Sequence, residues 1–183
     1  HPGVHLFGGF NGQESALDER DLSLHETVLS GKNPADSLER VWHVVTGADG
    51  AVLDGFRIEL GSAAGEAPHD NGGGLFLNGG SMIVANCVFD ENNAAGDGGA
   101  IWANGGDLDV IDTQIAQSFA GGSGGGIWKS GGGLALVRTL ADDGWQRAST
   151  GDGGFLYAVD TTTVITESRI NGGHTSGYGW GVA

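Results

Sequence analysis

The sequence has little cysteine, few basic residues and no long apolar run, and each of these shortages argues against a class of protein. Its 183 residues include one cysteine, Cys87, so no intrachain disulfide can form. Lysine and arginine total 8 against 23 acidic residues, and the net charge of −15 argues against binding to nucleic acid or to an anionic membrane surface. No apolar run reaches the roughly 18 residues of a membrane-spanning helix, and no segment is typical of a signal peptide. We therefore expect no direct membrane insertion within this segment.

Glycine is abundant, with 37 residues, and it occurs in clusters that repeat. Copies begin at Gly72, Gly98, Gly124, Gly153 and Gly179, spaced 26, 26, 29 and 26 residues apart. Each of the first four clusters precedes an apolar and then an aromatic residue, and the fifth is the start of another copy. A second apolar run follows each of the first four clusters: Met82–Phe89, Leu108–Ile115, Leu134–Leu140 and Thr163–Ile170. Short apolar runs bounded by Gly, Asn and Asp are typical of strands joined by turns. The repeat predicts an all-β fold, a right-handed single-stranded parallel β-helix with coils of about 26 residues.

Stacked coils place equivalent residues in columns, and the sequence predicts the direction of each column. An apolar column should face inward: Leu75, Ile101, Ile127 and Leu156. A column of small side chains should also be internal: Cys87, Thr113, Thr139 and Ser168. A polar column should lie outward or at a turn, with ion pairs between charges on neighbouring coils: Asn86, Asp112, Arg138 and Glu167.

The chain is interpreted as one β-helix domain over residues 1–183, with irregular coils in 1–71 and regular repeats in 72–183. Because it opens close to one expected strand and stops inside another, we expect it to be a fragment of a longer chain. The irregular part has four expected strands, Val4–Phe10, Thr27–Leu29, Val41–Val45 and Val52–Leu60, and a short helical turn within Ser15–Asp21. Two loops should interrupt the wall: Gly61–Asn71 and Ala141–Asp152.

Two tetrapeptides resemble those of a known family. Gly98–Ile101 reads GGAI and Phe89–Asn92 matches FxxN, the motifs that mark the repeats of chlamydial polymorphic outer-membrane proteins. The segments Val4–Phe10, Thr27–Gly31 and Val52–Phe56 are similar to bacterial secreted proteins of the pectate-lyase-like β-helix superfamily. The resemblance implies a β-helix fold and a location outside the cell or on the bacterial outer surface. It does not imply one activity, since this fold hosts adhesins, lyases, hydrolases and spacers.

The candidate binding residues form an aromatic column that follows the inward column by one position: Phe76, Trp102, Trp128 and Tyr157. Strand alternation should turn these side chains to the outside of the sheet. An exposed aromatic row binds sugar rings or a protein partner, or it only stabilises the sheet by ring stacking. Both alternatives remain open from the sequence.

Weaker candidates exist for metal binding and for catalysis. Asp97 and Asp152 precede glycine pairs and offer oxygen ligands for Ca²⁺, although Asp favours turns in any case. Asp142 and Asp143, with Arg138 nearby, form a carboxylate pair of the kind that cleaves glycosidic bonds, or a solvated acidic loop. We favour the loop for Asp142 and Asp143. We expect no cofactor, and Ca²⁺ is the alternative.

The leading functional hypothesis is a non-catalytic extracellular or cell-surface scaffold, similar to an adhesin, that presents loops and the aromatic column to protein subunits or glycans. One alternative is a polysaccharide lyase or glycoside hydrolase. Another is an architectural subunit of a larger assembly, because open coil ends can stack on other chains.

Overall fold

A computed structural model of the chain describes residues 1–33, 35, 39–142 and 147–175. These residues form many short strands joined by turns, and a 3-10 turn at Leu17–Glu19 lies inside the predicted helical segment. The strands are β1 His5–Phe7, β2 Thr27–Ser30, β3 Val45–Thr46, β4 Ala51–Asp54, β5 Phe56–Glu59, β6 Ser62–Ala63, β7 Leu75–Asn78, β8 Met82–Ala85, β9 Val88–Asp90, β10 Asn93–Ala94, β11 Ile101–Asn104, β12 Leu108–Ile111, β13 Gln114–Ala116, β14 Phe119–Ala120, β15 Ile127–Ser130, β16 Gly133–Val137, β17 Leu140–Asp142, β18 Arg147–Ala148, β19 Leu156–Val159, β20 Thr162–Thr166, β21 Arg169–Ile170 and β22 His174–Thr175.

These strands form four parallel sheets that run the length of the molecule. Their orders are β1-β4-β8-β12-β16-β20, β2-β5-β9-β13-β17-β21, β3-β7-β11-β15-β19 and β6-β10-β14-β18-β22. Each complete coil contributes one strand to each sheet, which is the arrangement of a parallel β-solenoid of about five turns. The predicted fold class is confirmed.

The register confirms the columns that the repeat predicted. Ile101 pairs with Leu75 on one side and with Ile127 on the other, and Ile127 pairs with Leu156. All four side chains are fully buried, as are Val84, Val110 and Leu136 of the neighbouring sheet. Burial of such a side chain stabilises a fold by about 1.5–3 kcal/mol, so these internal columns are the main source of stability.

The column of small side chains is also internal. Cys87, Thr113 and Thr139 are at most 2% exposed, and the backbone N–H of Cys87 donates a hydrogen bond to Thr113 Oγ1 at 3.2 Å. Burial raises the pKa of the Cys87 thiol to about 11, so the thiol is neutral at physiological pH. Cys87 is therefore a small core residue, as predicted.

Each long apolar run is divided by one residue in the left-handed conformation, which the sequence did not predict. Asn86, Asp112, Arg138 and Glu167 have φ between 48° and 53°, and each lies between two strands of the same coil. Only glycine and, less readily, Asn and Asp adopt this conformation freely. The residue turns the chain from one sheet to the next, so the predicted strand Met82–Phe89 is two strands, β8 and β9.

The repeated glycines are explained by contacts between coils. Gly98 has φ +64°, and a Cβ on this residue would lie 2.3 Å from the carbonyl oxygen of Ile101. A Cβ on Gly99 would lie 2.4 Å from the carbonyl oxygen of Gly125. The first glycine of a cluster is required by its backbone conformation, and the second by the close approach of the next coil.

Several expectations for local structure were wrong in detail. The predicted strand Val41–Val45 is replaced by Val45–Thr46, and Val52–Leu60 is split at Gly55, which has φ +83°. The predicted loop Gly61–Asn71 contains β6, and the predicted loop Ala141–Asp152 contains the end of β17 and all of β18. The sheet of two-residue strands to which β6 and β18 belong was not predicted. Runs of two residues are too short to show alternation, so the sequence pattern could not indicate them.

Candidate functional site

The aromatic column is a stack of nearly parallel rings. Phe76, Trp102, Trp128 and Tyr157 occupy the same register position on β7, β11, β15 and β19. The ring centroids of Phe76 and Trp102 are 4.8 Å apart with planes 6° from parallel, and those of Trp102 and Trp128 are 5.1 Å apart at 8°. The rings of Phe76, Trp102 and Trp128 therefore cover one another's faces.

The predicted exposure of this column is wrong for its first member. Phe76 is only 7% exposed, whereas Trp102, Trp128 and Tyr157 are partly exposed. The imidazole of His43, just before β3, stacks on the phenyl ring of Phe76 at 4.6 Å and 23°. The irregular first coils therefore cover the end of the column that a strictly regular repeat would leave open.

Two further rings continue the series beyond His43. The His43 ring lies 5.4 Å from the ring of His69, in the loop after β6, with the two planes tilted by 42°. His69 also contacts Phe76 at 6.5 Å and Trp42, whose ring stacks on it at 5.0 Å and 25°. We call the whole series the ring stack, defined by Trp42, His69, His43, Phe76, Trp102 and Trp128.

The two histidines of the ring stack are joined by a hydrogen bond. His43 Nε2 lies 3.1 Å from His69 Nδ1, and His43 Nδ1 lies 2.9 Å from the carbonyl oxygen of Gly72. Burial, with a smaller contribution from the neighbouring His69, lowers the pKa of His43 below its usual value, although the Gly72 carbonyl opposes the shift. His43 is therefore neutral at physiological pH.

The outer end of the ring stack opens onto a groove. Trp42 is 49% exposed, and with five other residues it lines a cavity of about 650 Å³. The six residues are Glu39, Arg40, Trp42, Ser62, Ala64 and Asn93. Carboxylate, guanidinium, hydroxyl and amide groups thus surround one exposed indole. Sequence reasoning missed this group because five of its six members come from the irregular coils of residues 1–71, where the 26-residue repeat gives no alignment.

The Ca²⁺ candidates Asp97 and Asp152 lie in a ladder of turns. We call the set Asn71, Asp97, Ser123 and Asp152 the turn ladder. The backbone N–H of Asp97 donates to Asn71 Oδ1 at 2.7 Å, that of Ser123 to Asp97 Oδ1 at 2.6 Å, and that of Asp152 to Ser123 Oγ at 3.0 Å. Burial raises the pKa of Asp97, the Ser123 N–H lowers it, and the charge of Asp70 raises it.

The turn ladder does not bring Asp97 and Asp152 together, because the coil of Ser123 separates them. Within residues 1–33, 35, 39–142 and 147–175, no three His, Cys, Asp or Glu side chains are grouped so that they could hold a metal ion. The side-chain oxygens of the ladder have a structural role that accounts for their position before each glycine pair.

The catalytic candidates are only partly described. Arg138 forms a two-point ion pair with Asp112, with nitrogen–oxygen distances of 2.6 and 2.7 Å, and it lies 3.8 Å from Glu167. These are the predicted ion pairs of the polar column, and hydrogen bonding to Arg138 lowers the pKa of Asp112. The backbone of Asp142 ends β17, but its side chain and the whole of Asp143 lie outside the described part of the structure.

Lys129 is an unexpected polar residue in the core. Its side chain is fully buried in the column of Leu77, Ala103 and Ala158. Its three N–H groups lie within hydrogen-bonding distance of four carbonyl oxygens, those of Gly105, Gly106, Ser130 and Gly131. Burial lowers the pKa of Lys129, and the charge of Asp107 opposes this shift. The carbonyl oxygens at this turn form a cage that the ammonium fills.

Comparison of the chain with known protein families, with curated proteins and with solved structures found no match. Among the residues that the structure describes, no helix has the length and apolar character needed to cross a membrane.

Proposed function

We propose that this chain is a non-catalytic scaffold, secreted or on the outer surface of a bacterial cell, that binds a neutral glycan in the groove beside Trp42. The observation that carries the proposal is the exposed indole of Trp42, which is fixed by stacking on His69 and lines a polar groove. A rigid aromatic ring surrounded by hydrogen-bonding side chains suits a sugar, which has apolar C–H faces and a rim of hydroxyl groups.

The groove supports a glycan better than the aromatic column alone does. Stacking covers the faces of Phe76 and Trp102, so these rings cannot lie flat on a sugar. The column instead gives Trp42 a rigid base through His43 and His69. A preorganised site binds more tightly because less side-chain entropy is lost on binding.

Charge favours a neutral rather than an acidic glycan. The net charge of −15 repels polyanions at long range, and the groove contains Glu39 as well as Arg40. The similarity of the GGAI and FxxN tetrapeptides to surface-protein repeats supports the proposed location.

The test is binding to a panel of neutral polysaccharides (mannan, β-glucan and xyloglucan), with alginate as the acidic comparison, measured by affinity electrophoresis and calorimetry. We expect binding to at least one neutral polysaccharide and weaker binding to alginate. Trp42→Ala should lower the affinity about two- to tenfold, since an aromatic contact contributes roughly 0.5–1.5 kcal/mol and 1.4 kcal/mol is a factor of ten.

Leu24→Ala is the matched control, because Leu24 is 74% exposed and does not line the groove. This variant should bind like the original chain. Unchanged affinity in Trp42→Ala, or failure to bind any neutral polysaccharide in the panel, would contradict the proposal. A loss of binding in Trp102→Ala, with Trp42→Ala unaffected, would move the contact surface to the aromatic column.

A further inference from the structure

The histidine pair of the ring stack has the separation of two ligands on one metal ion. His43 Nε2 and His69 Nδ1 are 3.1 Å apart. For metal–nitrogen bonds of about 2.0–2.1 Å, this separation corresponds to an angle of about 100° at the metal. That angle lies between those of square-planar or octahedral coordination and of tetrahedral coordination, so it suits first-row transition metals.

The surroundings of His43 are those of a metal ligand. Its second ring nitrogen, Nδ1, faces the carbonyl oxygen of Gly72 at 2.9 Å, and its ring is held against Phe76 by stacking. Histidines that bind metals almost always donate their other N–H to a carbonyl or carboxylate group, which fixes the tautomer and the ring orientation.

The tautomers follow from the same contacts. A carbonyl oxygen can only accept, so Nδ1 of His43 carries the proton and Nε2 has its lone pair directed toward His69. In the hydrogen-bonded pair, His69 Nδ1 is therefore the donor. Metal binding requires the proton of neutral His69 to move from Nδ1 to Nε2, and no net proton is released in that change.

We propose that His43 Nε2 and His69 Nδ1 form a binding site for a divalent transition-metal ion of the Cu²⁺, Ni²⁺ or Zn²⁺ type. Water completes the coordination, because His69 is an exposed residue. The ion lies off the line between the two nitrogens and replaces their hydrogen bond. It ties the loop of His69 to the wall of His43 and so fixes the indole of Trp42. This metal site is separate from the proposed glycan site, and the experiment that tests it uses no glycan.

The first measurement is calorimetric titration of the chain with Zn²⁺ and Ni²⁺, and electron paramagnetic resonance with Cu²⁺. All variants carry His1→Ala, so that the exposed imidazole of His1 cannot contribute to Cu²⁺ binding. We expect one ion per chain and a Cu²⁺ spectrum with two coordinated nitrogens. Affinity for the three ions should be highest for Cu²⁺.

The variants His43→Gln and His69→Gln should each lower Cu²⁺ affinity more than about tenfold, since even the loss of a ligand's hydrogen-bonding partner costs 10–100-fold. His25→Gln is the matched control, because His25 bonds to Asn11 and lies outside the ring stack. Circular dichroism establishes that each variant is folded. Equal Cu²⁺ affinity in the original chain and both variants overturns the proposal.

A measurement on the unmodified ligand pair keeps the test independent of variant folding. Substoichiometric Cu²⁺ should broaden the nuclear magnetic resonance signals of the His43 and His69 rings before those of His5, His25 and His174. Uniform broadening of all histidine signals, or preferential broadening at another histidine, overturns the proposal.

Discussion

Replacement of Lys129 tests whether the buried ammonium stabilises the solenoid. Lys129→Met keeps most of the side-chain volume and removes the charge that bonds to the carbonyl oxygens of Gly105, Gly106, Ser130 and Gly131. Hydrogen bonds to a charged group contribute about 1.5–3 kcal/mol, and burial of the ammonium offsets part of this. We expect Lys129→Met to lower the free energy of unfolding by about 1–3 kcal/mol.

Lys129→Ala should cost about 2 kcal/mol more, because it also removes three buried methylene groups at roughly 0.8 kcal/mol each. The assay is guanidinium unfolding followed by tryptophan fluorescence and circular dichroism, with agreement of the two signals as the check on a single transition. Lys32→Met is the control: Lys32 is exposed, so its change should lie within about 0.5 kcal/mol. A Lys129→Met variant as stable as the original chain would refute the structural role of the ammonium.

The pH dependence of the original chain and Lys129→Met gives a second check. Because burial lowers the folded-state pKa of Lys129, the unfolded chain binds more protons between that pKa and about 10.4. Within this alkaline window the stability of the original chain should rise with pH relative to Lys129→Met. If the difference in unfolding free energy between the two proteins stays constant from pH 7 to about pH 11, the pKa of Lys129 is the same in the folded and unfolded chains.

Two further predictions concern the turns. Asp97→Asn keeps an oxygen that accepts from the Ser123 N–H and removes a carboxylate whose pKa is raised by burial, so the free energy of unfolding at pH 7 should be equal or higher. Asp97→Ala removes the oxygen as well and should lower this free energy by about 1–3 kcal/mol in thermal or chemical unfolding. In the original chain the contribution of Asp97 should decline as pH rises from about 3.9 through the raised pKa, and a rise instead would show that burial does not dominate the titration of this carboxyl group. Gly98→Ala should be more destabilising than Gly105→Ala. Both glycines have positive φ, which costs about 1–2 kcal/mol for alanine. A Cβ at Gly105 would meet nothing closer than 3.8 Å, whereas a Cβ at Gly98 would lie 2.3 Å from a carbonyl oxygen. Equal losses of unfolding free energy in the two variants would contradict the steric argument.

The repeated part of the fold could be predicted because its residues obey one rule at every coil. Leu75, Ile101 and Ile127 are alike in type and spacing, so their common inward column followed from the sequence. The conformation of Asn86 could not be predicted in the same way, since Arg138 and Glu167 take the same φ at equivalent positions without being residues that prefer it. Asn86 and Asp112 have a local propensity for that turn, whereas Arg138 and Glu167 have none, so residue type does not indicate it along the whole column.

The candidate site was harder to predict because it depends on exceptions to the repeat. His43 and His69 are 26 residues apart, but they are not register partners: the insertion before β7 pairs Val45 with Leu75 instead. The cover over Phe76 and the groove at Trp42 both arise from these irregular coils. Lys129 is similar, since an isolated lysine beside a glycine turn is usually solvated and only the surrounding carbonyl oxygens explain its burial.

The turn ladder has a consequence for how such a molecule changes in evolution. In every link, the side-chain oxygen of one coil accepts a hydrogen bond from a backbone N–H of the next coil. Asn71 Oδ1 therefore has the same role toward Asp97 as Asp97 Oδ1 has toward Ser123. Excision of residues 72–97 by recombination would bring Asn71 against Ser123 with donor and acceptor still matched. Length is thus free to vary by whole coils, whereas a deletion one residue longer or shorter would exchange inward and outward side chains.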